Sequence, residues 1–348
     1  MTSISFIFES ILVSYLLVAL LAKGSVRLAT ALRLLDMPRS EPHKQHVSPT
    51  PLAGGLAMVV TFVLVGLLFR TSASREVVAT FWAGLIVFVF GLWDDFRGIP
   101  PLVKIIGQVL AVVVLIRMGV AIRIFESPEF FLSGRGAWAV YLNWLVTLLW
   151  VTSITNAFNF VDSMDGLAVG LGATAAAFFM LVTLDAGQPL LSRHSALILG
   201  ICIGLYFFNA YPAQLFLGDS GAQLLGFVLA VLAIAYRPQG ANQSSSWFVP
   251  IMLLGVPIFD MALVVVSRLR RKKPTYAAAL DHTYHRLVSF GWSSTRAVLV
   301  MQAAALLLGC LAFIVLNRPP LVANAIFGVV LVVGVLLFVY LDDAKRWP

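Results

Sequence analysis

Apolar runs and short polar segments alternate from one end of the chain to the other. The runs are long enough to cross a hydrocarbon core of about 30 Å as helices. A transmembrane β-barrel would show short segments of alternating polarity instead, and the sequence has no such series. The pattern predicts an all-α, polytopic helical membrane protein with about ten to eleven transmembrane helices, over residues 4–22, 53–69, 79–93, 102–119, 137–154, 167–184, 195–210, 222–236, 248–266, 296–316 and 322–340.

Composition excludes an ordinary soluble protein. Of 348 residues, 60% are hydrophobic and 11% charged, and the mean hydropathy is +0.94, whereas soluble chains have about 25% charged residues. The first run lacks the basic segment and cleavage site of a signal peptide, so we expect a retained span. No repeat, low-complexity tract or soluble domain interrupts the pattern, which predicts one integral-membrane domain over residues 1–348. Cys202 and Cys310 fall within apolar runs, and we expect buried packing residues.

The basic residues indicate an orientation. With the N-terminus outside and the C-terminus in the cytoplasm, sixteen of the 24 Lys and Arg residues lie on the inner side and eight on the outer side. This is the bias that cytoplasmic loops show. Six acids also fall at inner helix ends, where we expect them to converge on one site: Asp94, Asp95, Asp162, Asp165, Asp219 and Asp281. The net charge of +8 suits an anionic lipid surface or an anionic substrate.

The stretch GLWDDFRGIPPLVKIIGQ (91–108) places Asp94 and Asp95 together at the end of the third predicted span. Water in an interfacial loop could solvate both acids, or the pair could face a cation or a phosphate ester, with Lys104 as the phosphate partner. Pro100 and Pro101 would begin the next helix and set the direction of Lys104. A second acidic pair, Asp342 and Asp343, lies in the terminal tail beside basic residues, and we expect it to be solvated.

In NAFNFVDSMDGL (156–167), amides and acids recur every three residues: Asn156, Asn159, Asp162 and Asp165. In a helix this spacing traces a slowly turning ridge, and Gly166 then allows a break before the next span. Such residues cap helices well, but four at fixed spacing exceed what a cap needs. Their oxygens are hard ligands suited to Mg²⁺.

Two further acids occupy different environments. Asp219 lies in a Gly-Asp-Ser-Gly turn within YPAQLFLGDSGAQLLGF (211–227), where it or Ser220 could cap the following helix or Asp219 could bind a metal. Asp260, in VPIFDMALVV, lies well inside a predicted span. Acids at that depth usually have a function. We expect Asp260 to contact residues of a site without touching the substrate, or to pair with a neighbouring helix.

A basic segment follows, SRLRRKKPTYAAALDHTYHRLVSFGWS (267–293). Its first half, from Arg268 to Lys273, is typical of a positive-inside stop signal. In its second half, Asp281, His282, His285 and Arg286 include donors suited to phosphate; a zinc site would need further ligands. An earlier inner loop, PRSEPHKQHVSPTPLAGG (38–55), adds His43, Lys44 and His46. Together these clusters suit phosphoryl transfer between a soluble nucleotide and a membrane-bound phosphate.

The order and spacing of WDDFRGIPPLVK, NAFNFVDSMDGL, FLGDSGAQLLGF, PIFD and LDHTYHRL, with HKQHVSPTPLAGG before them, resemble the polyprenyl-phosphate N-acetylhexosamine-1-phosphate transferases over about 40–290. The resemblance implies an inner-membrane enzyme that acts at the cytoplasmic face. It would move N-acetylhexosamine-1-phosphate, with GlcNAc favoured, from a UDP-sugar to undecaprenyl phosphate and release UMP. The partners implied are these two substrates and membrane lipid, with no nucleic acid; a homodimer is left open.

The resemblance also implies residue roles. Asp219 and Asn159 would hold Mg²⁺, with Mn²⁺ as an alternative. The metal would supply most of the stabilisation of the phosphate group during transfer. Asp94 and Asp95 would position or deprotonate the lipid phosphate, and Lys104 would bind phosphate. The nucleotide sugar would be bound by Asp165 at the uracil, by His282 and His285 at the pyrophosphate or sugar, and by Asn156 and Asp162 in support.

Within that family, DHTYHRL is more similar to the WecA-type branch, which starts surface glycans, than to the peptidoglycan branch. The family pattern His-x-His-His reads HTYH here, so Tyr284 replaces a histidine. Two alternatives stay open. DSMDGLA begins like the CDP-alcohol phosphotransferase pattern, but residues 169–184 contain no Asp. An ion-coupled transporter would use Asp260, although transporter sites usually lie at the midplane within paired repeats.

Overall fold

The computed structural model describes residues 3–38, 49–69, 74–127, 136–238, 246–274, 279–316 and 318–343. Within these ranges the chain is almost entirely helical. The helices are α1 (Ser3–Ala31), α2 (Gly54–Leu68), α3 (Arg75–Arg97), α4 (Pro101–Arg117), α5 (Ala137–Val161), α6 (Leu167–Asp185), α7 (Pro189–Asn209), α8 (Gly218–Ala235), α9 (Val249–Leu253), α10 (Gly255–Arg270), α11 (Thr283–Ser289), α12 (Ser294–Val315) and α13 (Pro320–Leu341).

Each of the eleven predicted spans folds as helix. Eight helices in the described ranges are long and apolar enough to cross a membrane, including α3 and α8, whose predicted spans were the shortest. The predicted spans 53–69 and 102–119 form helices of 15 and 17 residues. The span 248–266 is divided at Leu254 into α9 and α10. The multi-pass helical class is confirmed, while the count of ten to eleven and the orientation stay predictions.

Local sequence explains where the helices near the polar clusters begin. Pro101 occupies the first turn of α4, as expected, because its missing N–H would be unpaired there in any residue. Gly166 has φ 75° and precedes α6, so the break predicted at this glycine is confirmed. Gly218 begins α8 with φ 71°, a left-handed conformation that favours glycine.

Helix α8 lies at the centre of the bundle, with most of its residues buried. It packs against α3 and α5 among other helices. A Cβ on Gly91 of α3 would lie 2.6 Å from the Cα of Ser220, so only glycine permits this approach. Buried apolar side chains form one cluster that reaches from Val18 in α1 to Phe327 in α13.

A short ribbon joins the start of α2 to the start of α8. Strands β1 (Leu35–Asp36) and β2 (Thr50–Pro51) pair antiparallel, and Leu52 then forms a parallel bridge with Phe216. The amides of Ala53 and Gly54 both donate to the Phe216 carbonyl, at 3.2 and 2.9 Å. His43, Lys44 and His46, between the two strands, lie outside the described residues.

One packing expectation is wrong. Cys202 is buried in α7, as predicted, but Cys310 is exposed on α12. Both lie within apolar runs, and hydropathy alone does not distinguish the face of a membrane helix that packs on protein from the face that meets lipid.

Candidate active site

The end of α3 and the beginnings of α4 and α8 bring an amine between two carboxylates. The Lys104 ammonium contacts Asp94 Oδ2 and lies 2.5 Å from Asp219 Oδ2. Asp94 Oδ1 also accepts from the Ile99 amide at 2.7 Å, which holds the turn before α4. The Lys104 and Asp219 side chains stay 23% and 25% exposed. The charged centre is therefore open to solvent.

Asp95 has different partners from its neighbour. Its Oδ1 accepts from the Asp219 amide at 2.7 Å, and its Oδ2 accepts from the Ser220 amide at 3.1 Å and the Ser220 hydroxyl at 2.6 Å. Asp95 thus caps α8 from another helix and satisfies amides that would otherwise be unpaired. Neither Asp219 nor Ser220 is the N-cap, which is Leu217.

The stretch 156–167 is not one helical ridge. Helix α5 continues to Val161, so Asn156 and Asn159 are helical, whereas Asp162 follows the helix and Asp165 lies in the turn before α6. The Asn159 side chain lies next to the Asp219 carboxylate. Burial raises the pKa of Asp162 well above its ordinary value, and the charges of Asp219 and Asp95 add to the shift. Asp162 is therefore a buried acid with other acids near it.

Behind Asp219 lies a chain of amides that the sequence interpretation missed. Gln223 donates to Asp219 Oδ2 at 3.1 Å, and Gln108 donates to Gln223 Oε1 at 3.0 Å. Asn156 donates to Gln108 Oε1 at 2.8 Å and to the Thr152 carbonyl at 2.7 Å. Gln223 could have been found, since it lies four residues after Asp219 on the same helix face. Asn156 takes part in this network, and its contact with a nucleotide sugar stays a prediction.

Asp165 connects the turn after α5 to the loop before α8. Its Oδ2 accepts from the Ala213 amide at 3.1 Å. Nearby, Asn209 accepts from the Gly166 amide at 3.2 Å and donates to the Leu215 carbonyl at 3.0 Å. These bonds hold the loop that leads into Asp219. The predicted contact of Asp165 with uracil is not tested by them.

The histidine segment reaches the same region through α5. The His282 ring meets the Phe160 ring edge-on, with centroids 5.7 Å apart, and Phe160 directly follows Asn159. His282 Nδ1 lies 2.8 Å from Asp260 Oδ2. His285 packs against Tyr284 at 4.2 Å between centroids. Tyr284 is fully buried and stacks on His282. It therefore packs inside the protein and helps to fix the His282 ring.

Two expectations about charged residues in the C-terminal third are wrong. Arg286 is no phosphate ligand, because it is fully buried and donates to the Asp281 and Leu341 carbonyls at 2.9 and 2.7 Å. Asp342 is not solvated, because its side chain is 8% exposed and pairs with Arg286 and Arg270, each at 3.0 Å. The sequence could not show these pairs, since Arg286 and Asp342 are 56 residues apart.

Asp281 does not join the acidic centre either. It accepts two hydrogen bonds from Arg268, at 2.9 and 2.7 Å, and one from Arg271 at 3.0 Å. Burial alone would raise the pKa of Asp281, but the bonds and charges of these arginines hold it below its ordinary value. The basic run at the end of α10 therefore stabilises the fold as well as marking the topology.

The donors around Asp219 fit a magnesium ion. Among the described residues, no group of three or more His, Cys, Asp or Glu is arranged to hold a metal. Magnesium, however, usually binds one or two protein carboxylates and completes its shell with substrate phosphates and water. Asp219 and Asn159 supply hard oxygen atoms, and the further acids Asp95 and Asp162 lie near them.

Comparison with known proteins gives a consistent set of relatives. The sequence pattern of the family described as Glycosyl transferase family 4 matches residues 77–237. A decaprenyl-phosphate N-acetylglucosaminephosphotransferase of Mycobacterium tuberculosis is 34% identical, covering 90% of this chain and 84% of the relative. A Bacillus subtilis protein named "Probable undecaprenyl-phosphate N-acetylglucosaminyl 1-phosphate transferase" is 31% identical, over 83% of this chain and 79% of the relative.

A more distant relative has a different name. A phospho-N-acetylmuramoyl-pentapeptide-transferase of Clostridium acetobutylicum is 25% identical, over 88% of this chain and 98% of the relative. All three matches extend well beyond the acidic centre. The similarity therefore covers the helical bundle as a whole as well as the motifs at its charged end.

Proposed function

This chain belongs to glycosyl transferase family 4, and we propose that it transfers N-acetylglucosamine-1-phosphate from UDP-N-acetylglucosamine to undecaprenyl phosphate. The observation that carries the proposal is the amine of Lys104 held between Asp94 and Asp219, beside Asn159, where apolar helices end. A phosphoryl-transfer site needs cationic and metal-binding groups in one place. Placing them at helix ends gives access to both a soluble nucleotide and a lipid phosphate.

In the reaction, an oxygen of the lipid phosphate forms a bond to the phosphorus that carries the sugar. The bond from that phosphorus to the bridging oxygen of UMP breaks, and UMP leaves with the electron pair. Asp219 and Asn159 would hold Mg²⁺, which when bound stabilises charge on the transferred phosphate. Mn²⁺ could bind the same oxygens.

Asp94 and Lys104 act on the acceptor. A phosphate monoester has a second pKa near 6 and is largely dianionic at pH 7, so little proton removal is needed. Lys104 neutralises the incoming phosphate, and Asp94 orients it and accepts any remaining proton. Asp95, whose oxygens both bind the start of α8, holds Asp219 in place.

The preference for N-acetylglucosamine follows from the relatives. Those named for N-acetylglucosamine phosphate transfer are 34% and 31% identical, whereas the muramoyl-pentapeptide relative is 25% identical. The product would be the first lipid-linked intermediate of a surface glycan. We place the charged end of the bundle at the cytoplasmic face of the inner membrane, because most Lys and Arg residues lie on that side in the predicted topology.

An ion-coupled transporter is less well supported. Such a protein would use Asp260 as its carrier carboxylate, but this acid binds His282 and the Thr283 amide through its two oxygens. The CDP-alcohol pattern has no continuation in residues 169–184. No observation on the described residues favours either activity.

Purified protein should be supplied with undecaprenyl phosphate, Mg²⁺ and one UDP-sugar at a time, and UMP release measured. We expect UDP-N-acetylglucosamine to give the highest rate, and Asp219→Ala to fall to the rate without enzyme. Asp185→Ala is the matched control, since Asp185 is the last residue of α6, at the opposite end from Leu167 and the acidic centre. If no UDP-N-acetylhexosamine yields UMP, the proposed function is wrong.

A further inference from the structure

We infer that Asp260 is a positioning residue that holds His282 by its Nδ1 atom, so that Nε2 is the atom presented to the nucleotide sugar. The inference rests on the proposed function and extends it to a residue that touches no substrate. Asp260 lies within α10 and is fully buried. A buried carboxylate is costly unless it is paired and hydrogen-bonded, and its partners therefore indicate its purpose.

Both oxygens of Asp260 are engaged at the start of α11. Oδ1 accepts from the Thr283 amide at 2.6 Å, and Oδ2 lies 2.8 Å from His282 Nδ1. Because an ionised carboxylate can only accept, the proton of the second bond is on Nδ1. The bond made by one ring nitrogen determines the role of the other. Nε2 is then left for an external partner.

The ring is also fixed on its faces. Tyr284 stacks on His282 with 5.4 Å between centroids and an angle of 8°, and Phe160 approaches edge-on at 5.7 Å. The His282 side chain is 8% exposed, so little more than one edge can meet a ligand. The charge of Asp162 acts on Tyr284, which stacks on this ring, so the segment lies near the acidic centre. A donor pyrophosphate bound there is the anion that Nε2 would meet.

The chain on either side of His282 is clamped as well. Asp281 is bound by Arg268 and Arg271 of the basic run, and Arg286 donates to Ser267 Oγ at 2.9 Å. These bonds hold α11 against the end of α10 without Asp260. Removing the charge of Asp260 should therefore change the state of the His282 ring more than the position of the helix.

The test is a double-mutant cycle with Asp260→Asn and His282→Asn. Asparagine at 260 keeps an oxygen for the Thr283 amide but loses the charge. Asparagine at 282 keeps an N–H where Nδ1 was and lacks Nε2. In the wild-type background, Asp260→Asn should lower kcat/KM for UDP-N-acetylglucosamine about 10- to 100-fold, the range found when a metal-binding histidine loses such a partner. In the His282→Asn background it should change kcat/KM less than about twofold.

Two parallel measurements keep the test decisive. The affinity for UDP-N-acetylglucosamine, measured by calorimetry, can be compared even for variants without turnover. Asp260→Asn should lower this affinity in the wild-type background and leave it nearly unchanged in the His282→Asn background. Nitrogen NMR of ¹⁵N-histidine protein should show a protonated Nδ1 at His282 that changes in Asp260→Asn, and this signal needs no substrate. Equal losses from Asp260→Asn in both backgrounds, or an unprotonated Nδ1 in the wild type, would overturn the inference. Absence of UMP from wild type would instead overturn the proposed function. The NMR measurement would still test whether Asp260 holds the His282 ring.

Discussion

Two adjacent aspartates at the end of α3 have separate partners. Asp94 contacts Lys104 and the Ile99 amide, whereas Asp95 binds the amides and hydroxyl at the start of α8. From sequence the two acids were indistinguishable, since neighbouring helix residues point in directions about 100° apart and only the packing decides what each meets. We propose that Asp94 acts on the phosphate, whereas Asp95 binds the start of α8 and holds the framework.

This assignment predicts opposite effects of substitution. Asp94→Asn should reduce UMP release about 100-fold or more, because it removes the carboxylate that orients or deprotonates the acceptor, and should leave the melting temperature nearly unchanged. Asp95→Ala should lower the free energy of unfolding by about 1–3 kcal/mol, because it leaves buried donors unpaired. Activity assays and thermal melts on both variants check the prediction. A stable Asp95→Ala protein would contradict the capping role.

The central element is α8, which carries Asp219 at its first turn and is buried along most of its length. Its contact with α3 depends on Gly91, and its start is tied to the β2 segment through Phe216. Small residues let helix backbones approach closely within membranes. The position of Asp219 is thus set by packing over several turns.

Gly91→Ala should destabilise the protein by about 1–3 kcal/mol, a range typical of overpacking. The added Cβ would lie 2.6 Å from the Cα of Ser220, which is backbone and cannot rotate away. Gly328→Ala in α13 is the control, because a Cβ there meets nothing within 4 Å. That variant should be neutral or slightly more stable, since alanine favours helix. Equal melting temperatures for the two variants would refute the close approach.

The segment before α11 makes a second prediction, on pH. The pKa of Asp281 lies below its unfolded value, so this acid stabilises the fold above about pH 4, and that stabilisation is lost as pH falls through the folded value. Asp281→Asn should therefore have a lower melting temperature than wild type at pH 7. Its melting temperature should also fall less than that of wild type as the pH is lowered. Melting curves from pH 7 to pH 3 test this. Parallel curves for the two proteins would show that the pairs with Arg268 and Arg271 add no stability.

At the scale of the whole molecule, the sequence was most informative about helices. Each predicted span is helical because a membrane leaves the backbone no other partner than itself. Tertiary pairing was less accessible. Sequence neighbours suggest a hydrogen-bond donor to phosphate for Arg286 and a solvated acid for Asp342. In the fold the two side chains form a salt bridge with each other. Gln108 was overlooked because an amide in an apolar helix has no signal until its partners are known.

The orientation of the bundle can be tested by labelling. Arg318→Cys, between α12 and α13, should react with a membrane-impermeant maleimide in whole cells, because the predicted topology places it outside. Ser293→Cys, just before α12, should react only after the inner membrane is opened. A background with Cys310→Ser removes the exposed native thiol. The reverse pattern would place the charged end of the bundle outside and contradict the cytoplasmic site.

The central claim is that sugar and phosphate move together to the lipid. UDP-N-acetylglucosamine labelled with ³²P in the sugar-linked phosphate and with ¹⁴C in the sugar should be incubated with the protein, Mg²⁺ and undecaprenyl phosphate. Both labels should appear in the lipid in equal amounts, with unlabelled UMP released and the transfer lost in Asp219→Ala. Carbon label in the lipid with ³²P left on UDP would show a simple glycosyl transfer and contradict the account.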